Sequence, residues 1–210
     1  VSETHYKNGK KDGLYTNFLY GYKWEETHYK NGKKEGLETG WVIGHCPMDF
    51  GPCDVIKKRS ETAYKNGKEH GVHTGWYDSG KKRGEVHYKN GSQEVIKVWY
   101  ESGIKKKEFF KYKNGNEGLD TEWYASGQKK IEVPLKNGKR EGLFTTWYES
   151  GQKKLEVPYK NGEKEWGVKD GLETGWYESG NKKSEVLWKN GNKEGPEKGW
   201  HESGRKNYVY

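Results

Sequence analysis

Two turn signals alternate along this chain and leave it little choice of architecture. Asn-Gly recurs at Asn8, Asn31, Asn66, Asn90, Asn114, Asn137, Asn161 and Asn190, and Ser-Gly at Ser79, Ser102, Ser126, Ser150, Ser179 and Ser203. Asn-Gly is a strong hairpin signal because both residues accept positive φ in a type I′ turn, while Ser-Gly suits a turn with glycine in the left-handed position. Equivalent Asn-Gly turns lie 23 or 24 residues apart, except for steps of 35 and 29. Two turns per unit mean two strands per unit. About eight units therefore predict an up-and-down meander, with inserts at about 43–58 and about 164–169.

Composition agrees. Leu, Ile, Val and Phe are too scarce for a thick aliphatic core, and a third of the residues are charged, which would ordinarily mean disorder. Against that stand 10 Trp, 16 Tyr and 30 Gly. Alanine occurs only at Ala63 and Ala125, and glycine interrupts almost every ten residues, so helices are excluded in practice. No run of 18 apolar residues suggests a membrane-spanning helix. The expected fold is all-β, an elongated single-layer antiparallel meander of about eight 23–24-residue hairpin repeats forming one domain over 1–210.

Alternation places the side chains. Leu172, Thr174 and Trp176 share one face of a first strand, and Leu155, Val157 and Tyr159 share a face of a second. The first-strand register is Phe18, Trp41, Trp76, Trp99, Trp123, Trp147, Trp176 and Trp200. The second is Tyr6, Tyr29, Tyr64, Tyr88, Tyr112, Leu135, Tyr159 and Trp188. The expectation is that the two interleave across the sheet as one aromatic ladder. Glycine precedes the first strand in most units, and Glu94 breaks that pattern, so the fourth unit is expected to be distorted.

The segments YKNGKKEGLETGW (29–41) and WYESGQKKLEVPYKNG (147–162) resemble the MORN-repeat variant found in many bacterial proteins. The resemblance recurs along nearly the whole chain. It implies consecutive antiparallel hairpins in a single sheet. Some members of that family are named as antitoxins, so it implies little about activity.

No chemistry stands out against the repeat. Cys46 and Cys53 lie in the first insert, where a disulfide stapling a short loop is the leading reading. A metal site with His45 and Asp54, or free thiols, are the alternatives. His5, His28 and His87 share one repeat position, and Glu61, Glu85, Glu132, Glu156 and Glu185 another, which points to structure rather than catalysis. The sequence reads as non-enzymatic and calls for no cofactor.

Lysine pairs follow the Ser-Gly turns, as at Lys153-Lys154 and Lys182-Lys183, and the net charge is +8. They read either as a solvated face with Lys–Glu pairs or as a basic ladder for an anionic glycan or surface. Nucleic acid is disfavoured, because the charge amounts to about +1 per unit. The Trp-Tyr pairs also suit sugar stacking.

Val1, Glu3 and His5 at one end, and Tyr208, Val209 and Tyr210 at the other, read as parts of second strands without capping units. That suggests open edges, and head-to-tail pairing of copies into a homopolymer. The chain begins at Val1 with Met48 as its only methionine, as a processed or excised segment would. The favoured reading is an extracellular or cell-surface fibre or scaffold subunit. A soluble antitoxin-like or immunity-type binding protein, which could be cytoplasmic, and a glycan- or cell-wall-binding module are the alternatives.

Overall fold

The structure is a computed structural model that describes residues 2–43, 56–111, 117–160 and 167–209. Contacts group the chain into two compact units, Val1–Gly103 and Ile104–Tyr210. Among the described residues there is no helix, and every strand pairing is antiparallel.

The first unit holds β1 (Ser2–Lys7), β2 (Lys10–Leu19), β3 (Tyr22–Lys30), β4 (Lys33–Ile43), β5 (Ile56–Lys65), β6 (Lys68–Trp76), β7 (Lys82–Lys89) and β8 (Ser92–Trp99). Each pairs with the next in sequence. The second unit holds β9 (Lys105–Lys111), β10 (Glu117–Trp123), β11 (Lys129–Lys136), β12 (Lys139–Arg140), β13 (Gly142–Trp147) and β14 (Lys153–Lys160). It continues with β15 (Val168–Lys169), β16 (Gly171–Trp176), β17 (Lys182–Lys189), β18 (Asn192–Lys193), β19 (Lys198–Trp200) and β20 (Lys206–Val209). The short strands β12, β15 and β18 are the leading ends of first strands interrupted at Glu141, Asp170 and the segment after Lys193. The meander expected from the turn spacing is present in each unit.

Both turn chemistries operate as the sequence dictates. Asn8, Asn31, Asn66, Asn90, Asn137 and Asn190 have φ between +48° and +54°, and the glycine after each is also positive. That is the type I′ geometry matched to strand twist. At the Ser-Gly turns the glycine N–H donates back to the tyrosine carbonyl, as Gly151 to Tyr148 at 3.0 Å, while Tyr148 N–H donates to Gln152 O at 2.8 Å. This is a type I turn closed by a left-handed glycine. In the first repeat Tyr20-Gly21 makes the tight turn instead, with φ of +51° and +85°.

The first-to-second strand pairings within each unit carry a bulge at one place. Gly175 pairs with Ser184, but the next residue, Trp176, pairs with Lys182, leaving Lys183 extra. The same slip occurs at Phe18, Trp41, Trp76, Trp123 and Trp147. The fourth repeat is irregular where Glu94 stands. There β8 accommodates one extra residue, between His87↔Val95 and Tyr88↔Gln93. At the matching place β6 passes from Glu69 to His73 while β5 passes from Tyr64 to Thr62.

A single sheet has no second layer to bury against, and the core is correspondingly thin. Val157 and Thr27 are each 2% exposed, and Val186, Thr16, Thr62, Thr121 and Thr145 are also buried. Leu37, Leu143, Leu172 and Leu187 stay open, at 42–49% exposure.

Candidate functional site

Register decides which side chains meet. In β13–β14, Thr145 opposes Glu156 and Trp147 opposes Lys153, on one face. Gly142 opposes Tyr159 and Phe144 opposes Val157, on the other. The tryptophan and tyrosine registers therefore lie on opposite faces, and the interleaved ladder expected from sequence is corrected to two separate rows. Alternation within a strand was read properly, but the cross-strand partner of each ring is set by register, which sequence does not show.

On the tryptophan face, rings alternate with lysines rather than with other rings. Lys23, Lys58, Lys82, Lys105, Lys129, Lys153 and Lys182 place their ammonium groups 5.1–5.9 Å from the ring centroids of Trp41, Trp76, Trp99, Trp123, Trp147, Trp176 and Trp200. Each lysine stands at or near the start of the second strand of the repeat before its tryptophan's, and each also pairs with the glutamate three residues on. The pairs are Lys23–Glu26, Lys58–Glu61, Lys82–Glu85, Lys105–Glu108, Lys129–Glu132, Lys153–Glu156 and Lys182–Glu185. In a regular strand residues three apart point to opposite faces. The bulge at Lys154 and its equivalents returns lysine and glutamate to one side. Each glutamate is then flanked by threonine, as Glu156 is by Thr145 and Thr174. The hydrogen bond from Lys82, with burial opposing, holds the Glu85 carboxyl below its ordinary range.

The second row, on the tyrosine face, is built the same way from other residues. Lys11 lies 4.0 Å from the Tyr15 centroid and 4.9 Å from Tyr29, Lys34 4.8 Å from Tyr64, and Lys169 4.3 Å from Trp188. Arg140 covers Phe144 and Tyr159 at 4.9 and 5.5 Å. Ring-on-ring contacts among the described residues are Tyr15–Tyr29 at 6.1 Å and Phe144–Tyr159 at 6.3 Å, both edge to face. Lys34 pairs with Glu38 and Lys169 with Glu173. Burial pulls the Lys34 ammonium downward, but the Glu38 carboxylate outweighs it and its pKa is raised. Tyr6 is 64% exposed, and Tyr88 accepts a hydrogen bond from Gln93 Nε2 at 3.0 Å. Leu135, the aliphatic member of this register, opposes Arg140. Tyr112 lies outside the described residues. Three residues after Glu108, where the other repeats carry the register tyrosine, stands Lys111, opposite Gly118.

A third element escaped the sequence reading. The tyrosine after the register tryptophan donates its phenol proton to the tryptophan carbonyl one repeat on. The bonds are Tyr77 to Trp99 O at 2.7 Å, Tyr124 to Trp147 O at 2.9 Å, Tyr148 to Trp176 O at 2.9 Å and Tyr177 to Trp200 O at 2.8 Å. Lys130, Lys154 and Lys183, the bulged lysines, sit 5.3–5.6 Å over Tyr124, Tyr148 and Tyr177. The two lysines of each pair thus go to opposite faces. The signal was the recurrence of Trp-Tyr itself.

The family model for the MORN repeat variant matches residues 69–90, 140–161 and 169–190. Three of the chain's repeats match the MORN repeat variant. Each match ends on the asparagine of an Asn-Gly turn, so one MORN-variant repeat spans first strand, Ser-Gly turn and second strand. The three matches contain the sets Trp76–Lys82–Glu85, Trp147–Lys153–Glu156 and Trp176–Lys182–Glu185. No curated protein matches the chain.

The remaining sequence candidates fall at the margins. Cys46 and Cys53 lie outside the described residues, as do Val1 and Tyr210. Of the edge residues, β1 carries Glu3 and His5, both exposed, with His5 Nδ1 3.2 Å from the Leu14 carbonyl. Tyr208 and Val209 pair through their backbones with Gly199 and Lys198. Among the described residues no helix is long and apolar enough to cross a membrane.

Proposed function

We propose that this protein is a non-enzymatic interaction scaffold that engages a protein partner through the tryptophan face of its MORN-variant repeats. The observation that carries this is the pairing of every row lysine with its own glutamate. The cations are locally neutralised, so the face is poorly suited to tracking a polyanion. On the same face stand exposed leucines, Leu37 in the first unit and Leu143, Leu172 and Leu187 in the second. Exposed apolar side chains bordered by polar groups are what protein interfaces use.

The partner includes a second copy of the chain. The edge-to-edge form of that association would be an extracellular fibre or surface subunit, joined by backbone pairing between strands of adjoining copies. Negative-stain microscopy and sedimentation over a concentration series test self-association. Long uniform fibres support the edge form. Discrete particles of single-chain mass at all concentrations exclude self-assembly and leave a different protein, of the antitoxin or immunity kind, as the partner. Leu143→Glu with Leu172→Glu is expected to abolish face association without lowering the unfolding temperature. Association that survives both changes refutes the face.

A further inference from the structure

Two positions of the first unit depart from the lysine pattern of the second, and a cleft lies beside them. At the bulged position, where the second unit has Lys130, Lys154 and Lys183, β5 and β7 carry Arg59 and Arg83. The lysines lie over the turn tyrosines. Neither guanidinium makes a hydrogen bond, ion pair or ring contact among the described residues, and no cation covers Tyr77. Instead Arg83 rests against Gly75, where a Cβ would come to 3.9 Å from its Nε and Nη2 and from the Arg59 carbonyl.

Around these groups lies a cleft of about 600 Å³, lined among others by Lys57, Arg59, Arg83, Trp76 and Tyr77. That volume is within the range that holds small organic ligands. Lys57 Nζ donates to the Asp78 backbone oxygen at 2.7 Å, which fixes it and leaves two protons free. Tyr77 is fixed through its phenol on Trp99 O at 2.7 Å, so its ring is held at the cleft. Asp78 and Glu101 also line the cleft, leaving three cations against two acids. One guanidinium fork saturates a planar carboxylate. Two forks and an ammonium suit the three terminal oxygens of a tetrahedral anion.

We propose that this cleft binds a phosphate or sulfate ester carried on a flat ring, with Arg59, Arg83 and Lys57 on the anion and Tyr77 against the ring. The site stands whether or not the scaffold reading does, because it involves neither the exposed leucines nor a strand edge.

Calorimetric titration of the whole protein with phenyl phosphate, phenyl sulfate, inorganic phosphate and benzoate tests it. The expected result is saturable binding of a phenyl ester, tighter than inorganic phosphate and benzoate. Whichever ester binds more tightly identifies the anion. Arg59→Lys with Arg83→Lys restores the lysine pattern of the other unit, keeps the charge, and should weaken binding about tenfold or more, the scale of a lost charge-assisted hydrogen bond. Tyr77→Phe keeps the ring and should leave the ester preference intact. Absence of saturable binding overturns the proposal. So does equal affinity of the double variant, or equal affinity for ester and inorganic phosphate.

Discussion

The phenol of Tyr148 donates to the carbonyl oxygen of Trp176, 2.9 Å away and 28 residues along the chain. Three further tyrosines repeat the bond, so it couples one repeat to the next at the Ser79, Ser126, Ser150 and Ser179 turns. Tyr148→Phe keeps the ring under Lys154 and removes only the proton donor. It is expected to cost about 1 kcal/mol. Tyr124→Phe and Tyr177→Phe should cost the same and add, since each touches a different carbonyl. Urea unfolding of the single and triple variants checks both statements.

Two of the groups that shape the pH dependence of stability have ordinary values of 4.5 and 10.0. Glu85 is held below 4.5 by the Lys82 hydrogen bond. The unfolded chain therefore takes up that proton first, and the contribution is complete above 4.5 and lost as pH falls through the folded value. Tyr148 is pushed above 10.0 by burial, aided by the nearby Glu178 and Glu202 carboxylates. Its contribution is complete below 10.0 and lost as pH rises through the folded value. Unfolding midpoints should be flat between these limits and fall on both sides. Glu85→Gln should make the acid limb shallower and Tyr148→Phe the alkaline one.

Gly171 has φ of +123°, and a Cβ there would stand 2.8 Å from Pro158 Cγ. Gly171→Ala should therefore cost roughly 1–3 kcal/mol. Gly195, at φ +73°, has nothing within 4 Å of the same atom. Gly195→Ala should carry backbone strain alone, about 1–2 kcal/mol, and lose less than Gly171→Ala. Thermal unfolding of the two proteins side by side tests the order.

Lys153 is half exposed, so its pairing with Glu156 and its position over Trp176 are individually weak. Lys153→Met retains the stem and should cost less than about 1 kcal/mol. Replacing Lys129, Lys153 and Lys182 together should lower stability by the sum. It should also reduce its sensitivity to added salt, because the variant has fewer screened pairs to lose. Chemical unfolding at low and high ionic strength measures both.

The strand pattern was legible because Asn-Gly and Ser-Gly carry their own backbone geometry, as the positive φ values at Asn66-Gly67 and Gly80 show. Thr174 and Trp176 were correctly placed together for the same local reason. What was not legible depends on a single inserted residue. Lys153 and Glu156 read as opposite-facing until the bulge at Lys154 is known, and that slip also sends the two lysines to different sides. The separation of the Trp176 and Trp188 rows is a matter of which residue opposes which, Gly171 against Trp188 and Trp176 against Lys182. The Arg59–Arg83 cleft was visible only as two arginines among lysines. It took the open ring of Tyr77 to give them meaning.

The lysine and tyrosine rows join one repeat to its successor in the same direction throughout. Lysine reaches forward to the next tryptophan ring, and tyrosine reaches forward to the next tryptophan carbonyl. Such a chain can be lengthened by copying one whole repeat, since the copy brings both its own donors and the acceptors its predecessor needs. Growth by tandem duplication then requires no compensating substitution at the new junction. A partial copy is different, for it strands a lysine without a ring and a phenol without a carbonyl.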